Sequence, residues 1–299
     1  MSGALVVAVV GTGRMGSAMA GRVAAAGHRL VVHNRTRAAA DVVAQKFGAQ
    51  VASTARDAAR GADVVVVSLA DDAAVLATYG GADGLVAGLG PDTVVADTST
   101  VAPATVREMG ALVRGTGAAL VDTPVSGSVS TVEAGTLMVM AGGVAADVER
   151  ARPALESFAD RILLVGPLGS GATMKLAVNA MVFGLNGTLA EALVLAERSG
   201  VDRALAYEVF ASSVVAAPFV HYKRAAYERP GETPVAFALD LVAKDLELAA
   251  ALAAEVGAEV PQLVANRQVV SEAIAAGLGQ EDMSALAVHL RASAGSVED

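Results

Sequence analysis

Short β-branched runs alternate with alanine-rich stretches of helical period through about residue 166, and few folds accept that alternation. The runs cover residues 5–10, 30–33, 63–68, 93–97, 118–122, 137–141 and 162–165. Each has a continuously apolar centre, as strands of a parallel sheet covered on both faces must have. Strand, helix, strand, repeated, predicts a doubly wound α/β domain. After Gly169 the strand signals stop. Residues 169–199 read as one long helix with Met174, Val178, Met181, Leu185, Leu189 and Ala192 on an apolar stripe. Further helices follow, punctuated by Gly200, Pro218, Pro230, Pro234, Gly257, Pro261, Gly277 and Gly279. The expected organisation is 1–166 as the sheet domain and 167–299 as an all-α second domain. An alanine-rich helical domain of this kind suits packing against a second copy, so a homodimer is expected.

The charge balance narrows the partners. Lys and Arg total 22 against 31 Asp and Glu, a net −9, and nucleic acid requires a basic stripe instead. Four Tyr, six Phe and no Trp leave few platforms for stacking on bases. With no Cys, disulfides and thiolate chemistry are excluded. The four histidines stand apart from other ligand-type residues, so no metal site is expected. Met1 to Val10 lacks a basic n-region and reads as a buried strand, not a secretion signal. The apolar stretch 176–196 is broken by Asn179, Gly184, Asn186, Gly187 and Glu191, which argues against a membrane span. The expected location is the cytoplasm.

Val6-Val-Ala-Val-Val-Gly11-Thr12-Gly13-Arg14-Met15-Gly16 reads as strand, tight turn and helix start. Gly11 permits the turn, Gly13 lets the backbone approach a pyrophosphate, and Gly16 lets helix pack on strand. The helix N-terminus adds amide donors and partial positive charge. The context makes this a Rossmann-type dinucleotide site. An acid about 20 residues downstream would bind a ribose 2′-hydroxyl; this chain has Asn34-Arg35-Thr36-Arg37. Arg35 can pair with a 2′-phosphate, and Asn34 and Thr36 can donate to it. NADP (NADPH) is therefore favoured, with NAD possible. Leu69, after the strand 63–68, joins the expected cofactor contacts. Ser99 and Thr100, beyond the strand 93–97, are either nicotinamide-side contacts or caps for a helix near Pro103. Asp71-Asp72 reads as a helix N-cap pair.

On the long helix, Gly171, Lys175 and Asn179 stack one turn apart. Gly171 leaves room for a small molecule, Lys175 offers a transferable proton and Asn179 a hydrogen-bond donor. Asp122-Thr-Pro-Val-Ser126-Gly127-Ser128 ends another strand, and its uncharged hydroxyls and amides suit a carboxylate.

These segments resemble the β-hydroxyacid dehydrogenase family. Four motifs match its order and spacing: Gly11 to Gly16; Asp122 to Gly127 with Gly135-Thr-Leu137; Gly171 through Lys175 to Asn179; and Lys244-Asp245-Leu-Glu-Leu-Ala249. Asp97-Thr-Ser-Thr100 and Gly279-Gln-Glu-Asp282-Met-Ser-Ala-Leu286 also fit. The resemblance implies Lys175 as catalytic acid/base, Ser126, Gly127 and Asn179 as substrate-holding groups, and Thr100 and Lys244 on the nicotinamide side. It implies hydride exchange with a small, carboxylate-bearing 3-hydroxyacid or semialdehyde. Ser128 and Ser130 replace the glycines usual there, and Val178-Asn179 replaces Asn-Asn, as in the semialdehyde-reductase branch. The alternatives are an NADPH-dependent imine reductase, which typically lacks the helix lysine, and a non-catalytic NADP-binding protein.

Overall fold

The computed structural model describes residues 3–293. Met1, Ser2 and residues 294–299, at the outer ends of the two expected domains, lie outside the described residues. Two compact units emerge, Met1–Lys175 and Leu176–Asp299, and the division falls within the helix Ser170–Arg198.

The first unit carries a nine-stranded sheet. Its strands are β1 (Val6–Val10), β2 (Arg29–His33), β3 (Gln50–Val51), β4 (Val64–Val67), β5 (Val94–Asp97), β6 (Ala119–Asp122), β7 (Val125–Ser126), β8 (Leu137–Gly142) and β9 (Ala159–Gly166). Every run read from the sequence is a strand. The two-residue β3 and β7 are too short to leave a pattern. From β3 to β6 the order β3-β2-β1-β4-β5-β6 is parallel throughout. The expectation of a wholly parallel sheet is corrected beyond β6, because β8 runs antiparallel to both β6 and β7. The short helix Val129–Ala134 turns the chain back between β7 and β8, where a parallel pairing would need a full crossover.

The apolar character of the strands follows from burial on both faces. Val64 and Val66 enter one core cluster with Val7, Val9 and Ala96. Val65 and Val67 enter a second with Ala8, Val10 and Val95. Successive side chains point to opposite faces, so each strand feeds two cores. At β1 the order reverses toward β2 on one side and β4 on the other, which opens a crevice at the carboxyl ends.

Among the described residues the second unit is helical. Its core gathers Leu176, Phe183, Leu189, Leu193, Tyr207, Tyr227 and Leu246. The stripe expected on the long helix holds only in part: Leu189 is buried and Leu185 packs on the core, but Met181 is 78% exposed and Met174 is exposed, whereas Leu176, Phe183, Ala190 and Val194 are buried. The helix is apolar on more than one side, so period alone does not choose its inner face. By length and composition it could cross a membrane. Here its Asn186 is buried, donating to the Met283 carbonyl and accepting from the Tyr227 hydroxyl, as in a core helix.

Glu197 organises one end of this unit. It accepts from Arg203 Nε at 2.8 Å and from the Arg291 guanidinium. Burial alone would raise its pKa, but the two arginines outweigh that and hold it below the usual value of 4.5. Stability from a depressed carboxyl is present above the unfolded value and lost as pH falls through the folded one. The stability advantage of wild type over Glu197→Gln, measured in urea at neutral pH, is expected to shrink once the pH drops below about 4.

Candidate active site

The glycine loop lies at the carboxyl end of β1, and each glycine has a distinct reason. Gly11 has φ +95°, and a Cβ there would run into the Ser68 carbonyl. A Cβ on Gly16 would overlap the Gly11 carbonyl, so helix Arg14–Ala25 could not sit so close to its strand. At Gly13 a Cβ would meet nothing within 4 Å, which leaves the backbone open to a ligand. Gly13 is also the N-cap, with no side-chain acceptor for the first-turn amides. A helix start of this kind fits a pyrophosphate. The Thr12 hydroxyl, buried and without a partner among the described residues, fits an acceptor brought by the same group. Met15 instead packs its side chain against the core, so only its backbone remains for the ligand.

Asn34 is not the free donor expected from sequence. Its Oδ1 accepts the Thr12 N–H at 3.0 Å and its Nδ2 donates to the Thr36 carbonyl at 3.1 Å. It braces the glycine loop against the end of β2. Arg35 and Thr36 are exposed beside it, and Arg37 faces Asp41 at 3.6 Å.

At the ends of β4 and β5 a chain of buried bonds fixes the next loops. Tyr79 Oη donates to Asp97 Oδ2 at 2.7 Å, and the Ser99 N–H donates to Asp97 Oδ1 at 2.9 Å. Ser99 Oγ accepts the Leu69 N–H at 3.0 Å. Leu69 in turn lies over Gly11. Ser99 is therefore a structural tie between the two loops, and the cap read for it is not made. The helix Pro103–Arg114 has Ala102 at its N-cap, whose N–H goes to Asp72 Oδ1 at 2.9 Å. Asp71 caps its own helix through the Ala74 N–H at 2.8 Å, as the pair suggested. Thr100 stays half-buried at this edge.

Within the Ser-Gly-Ser turn the three residues separate. Ser128 starts the helix Val129–Ala134, its N–H donating to Thr131 Oγ1 at 2.7 Å and its hydroxyl bonded to Ser130 at 2.8 Å. Ser128 is thus tied into the start of that helix. Gly127 has φ +142° and is exposed. The Ser126 hydroxyl carries no hydrogen bond among the described residues, so Ser126 and Gly127 remain the available pair.

Gly171 also has a different purpose from the one expected. A Cβ there would strike the Met140 carbonyl and come within 2.8 Å of Asp122, so the space beside it is filled by protein and not left for a ligand. Asp122 Oδ1 accepts the Gly169 N–H and Oδ2 the Ala172 N–H, both at 2.8 Å. Burial raises the Asp122 pKa, and the amides of Gly169 and Ala172 oppose the rise. The helix that carries Lys175 thus starts at the carboxyl end of β6, the same sheet edge as the glycine loop. Lys175 is half-buried.

In the second unit Asn179 is 7% exposed and its Nδ2 donates to Asp245 Oδ2 at 2.6 Å. Lys244 Nζ lies 2.8 Å from Asp245 Oδ1. A carboxylate only accepts, so the amide nitrogen must face Asp245 and Oδ1 is turned the other way. One amide hydrogen of Asn179 is thus committed to Asp245, which leaves its second hydrogen and Oδ1 for other partners. Asp245 was missed as a site residue. Its signal was an acid on the inward stripe Val242, Leu246, Ala249 of the helix Leu239–Val256.

Comparison with known proteins agrees with this geometry. A family model described as the NAD binding domain of 6-phosphogluconate dehydrogenase matches residues 6–166. One described as NAD-binding of NADP-dependent 3-hydroxyisobutyrate dehydrogenase matches residues 169–290. The chain is 33% identical to 3-sulfolactaldehyde reductase of Escherichia coli (strain K12), over 97% of both proteins. A Mycobacterium tuberculosis 3-hydroxyisobutyrate dehydrogenase structure with L-serine is similar at 31% identity and TM-score 0.83, covering 97% of this chain and 100% of that one. The structure titled Psf3 in complex with NADP+ and 2-OPP is similar at 26% identity and TM-score 0.86, covering 95% and 99%. The ordered motifs, the glycine loop and the two family matches together place the chain in the β-hydroxyacid dehydrogenase family, as an NAD(P)-dependent oxidoreductase acting on CH–OH groups.

Proposed function

We propose that the chain reduces a small aldehyde bearing an acidic group to the corresponding hydroxyacid, preferring NADPH, with Lys175 as the general acid. The observation that carries this reading is a lysine on a helix that begins at the sheet edge holding the glycine loop. When bound, the reduced dinucleotide supplies a hydride to the carbonyl carbon. Lys175 gives a proton to the carbonyl oxygen as that carbon is reduced, and takes it back in the oxidative direction. Asn179, held by Asp245 through one of its two amide hydrogens, orients the substrate oxygen with the other. Ser126 and the Gly127 amide receive the acidic group, and Thr100 and Lys244 attend the nicotinamide end. Residues 1–166 serve the dinucleotide, and 167–299 serve substrate and a homodimer contact in the cytoplasm. Relatives named for 3-sulfolactaldehyde and 3-hydroxyisobutyrate support an acidic three- or four-carbon substrate.

The test is NADPH oxidation followed with succinic semialdehyde, methylmalonic semialdehyde and a cyclic imine. Turnover of a semialdehyde is expected, and turnover of the imine alone would overturn the reading. The exposed Arg35 supplies the NADPH preference. A hydrogen bond to a charged group contributes about 1.5–3 kcal/mol. Arg35→Ala is therefore expected to raise KM for NADPH roughly tenfold or more, and to leave KM for NADH nearly unchanged. Equal changes for both cofactors would remove Arg35 from that role.

A further inference from the structure

We propose that Asp122 is a positioning residue for catalysis, its carboxylate setting where the helix that carries Lys175 begins. This inference rests on the assignment of Lys175 as proton donor. Asp122 is 1% exposed and closes β6, where its two oxygens each take a different amide of the helix start, Gly169 and Ala172. A helix leaves its first amides without internal partners, and its positive end favours an anion. The surroundings are built to admit that carboxylate. A Cβ on Gly142 of β8 would overlap Asp122 Oδ1, and a Cβ on Gly171 would lie 2.8 Å from Oδ2. Two glycines thus flank one carboxyl group, from the strand side and from the helix side. Ala172 precedes Lys175 by less than one turn, so little backbone freedom separates the clasp from the amine.

The chemistry calls for a carboxylate and not merely a polar group. Asparagine of the same shape offers one accepting oxygen, and its NH₂ would face an amide N–H, donor against donor. Asp122→Asn therefore releases one of the two amides without opening a cavity.

The experiment measures kcat, KM for NADPH and urea stability for Asp122→Asn in the wild-type and Lys175→Ala backgrounds. With Lys175 present, Asp122→Asn is expected to lower kcat about tenfold with KM for NADPH within about twofold of wild type. With Lys175 already removed, the same substitution is expected to cost little more, because the group it positions is gone. A merely structural role would lower both backgrounds equally and would move KM as well. Should Asp122→Asn fail to fold, Gly142→Ala takes its place, since its methyl group meets Asp122 Oδ1 first. Wild-type kcat in the single variant, or an undiminished loss in the Lys175→Ala background, overturns the positioning role while leaving Lys175 itself in place. Wild-type turnover by Lys175→Ala overturns the proton-donor assignment, and this inference with it.

Discussion

Lys175→Ala is expected to lower turnover about 10²–10⁴-fold, the range spanned by general acid catalysis, while NADPH binding stays near that of the unaltered protein. The two effects separate because Lys175 belongs to the helix Ser170–Arg198, whereas the pyrophosphate donors belong to the start of the helix Arg14–Ala25. Hydride transfer without an acid would still occur slowly, since holding the reactants together is itself worth a large factor. Lys175→Arg should fail almost as badly. A guanidinium keeps the positive charge but does not surrender its proton in the protein. Steady-state kinetics with the semialdehyde, alongside fluorescence titration of NADPH, would read both quantities. Turnover at the wild-type rate in either variant would remove the lysine from the mechanism.

The second large effect is on stability and lies in the helical unit. Lys223 and Asp282 are 2% and 7% exposed. Both carboxylate oxygens lie 2.7 Å from the lysine Nζ. Asp282 also accepts the N–H groups of Ala236 and Phe237 at 2.9 and 3.2 Å and of Ser284 at 3.1 Å. Burial lowers the Lys223 pKa against the pull of its partner. Burial would raise that of Asp282, but Lys223 and Ser284 outweigh it and hold the carboxyl below its ordinary value. Lys223 and Asp282 thus face each other as a buried ion pair. Removing one member of a buried pair leaves the other charge uncompensated, at a cost of about 3–5 kcal/mol. Lys223→Ala should destabilise by that amount in urea titrations. Replacing both residues with apolar ones of similar volume should cost less than the single change. If Lys223→Ala unfolds at the wild-type midpoint, the pair has no such role.

The legible parts of this molecule were those set by local pattern. Four consecutive valines at 64–67 have no outward face, and they became a strand buried on both sides. The glycines of the 11–16 loop were assigned separate purposes from their order alone, and the backbone bears out those of Gly11 and Gly16. Where the reading slipped, contacts between distant positions decided. Gly171 looked like space for a ligand because sequence does not reveal that Asp122, nearly fifty residues earlier, fills it. The partner of Asn179 was not read because Asp245, its acceptor, comes from another helix. The long helix misled for a different reason: its apolar residues run round its circumference, so Met181 and Leu176 were indistinguishable until the neighbouring helices chose between them. Buried carboxylates were the most consistent omission. Asp97, Asp122 and Asp245 stood in motifs whose neighbours drew attention for glycine or lysine chemistry.

The relay from Tyr79 through Asp97 and Ser99 to Leu69 has an evolutionary corollary. A buried phenol underwrites the shape of the loop that lies over Gly11, so inheritance at this crevice is collective. A lineage could trade one substrate for another by altering the surface of the turn, but the hidden hydroxyl beneath it would have to be passed on intact.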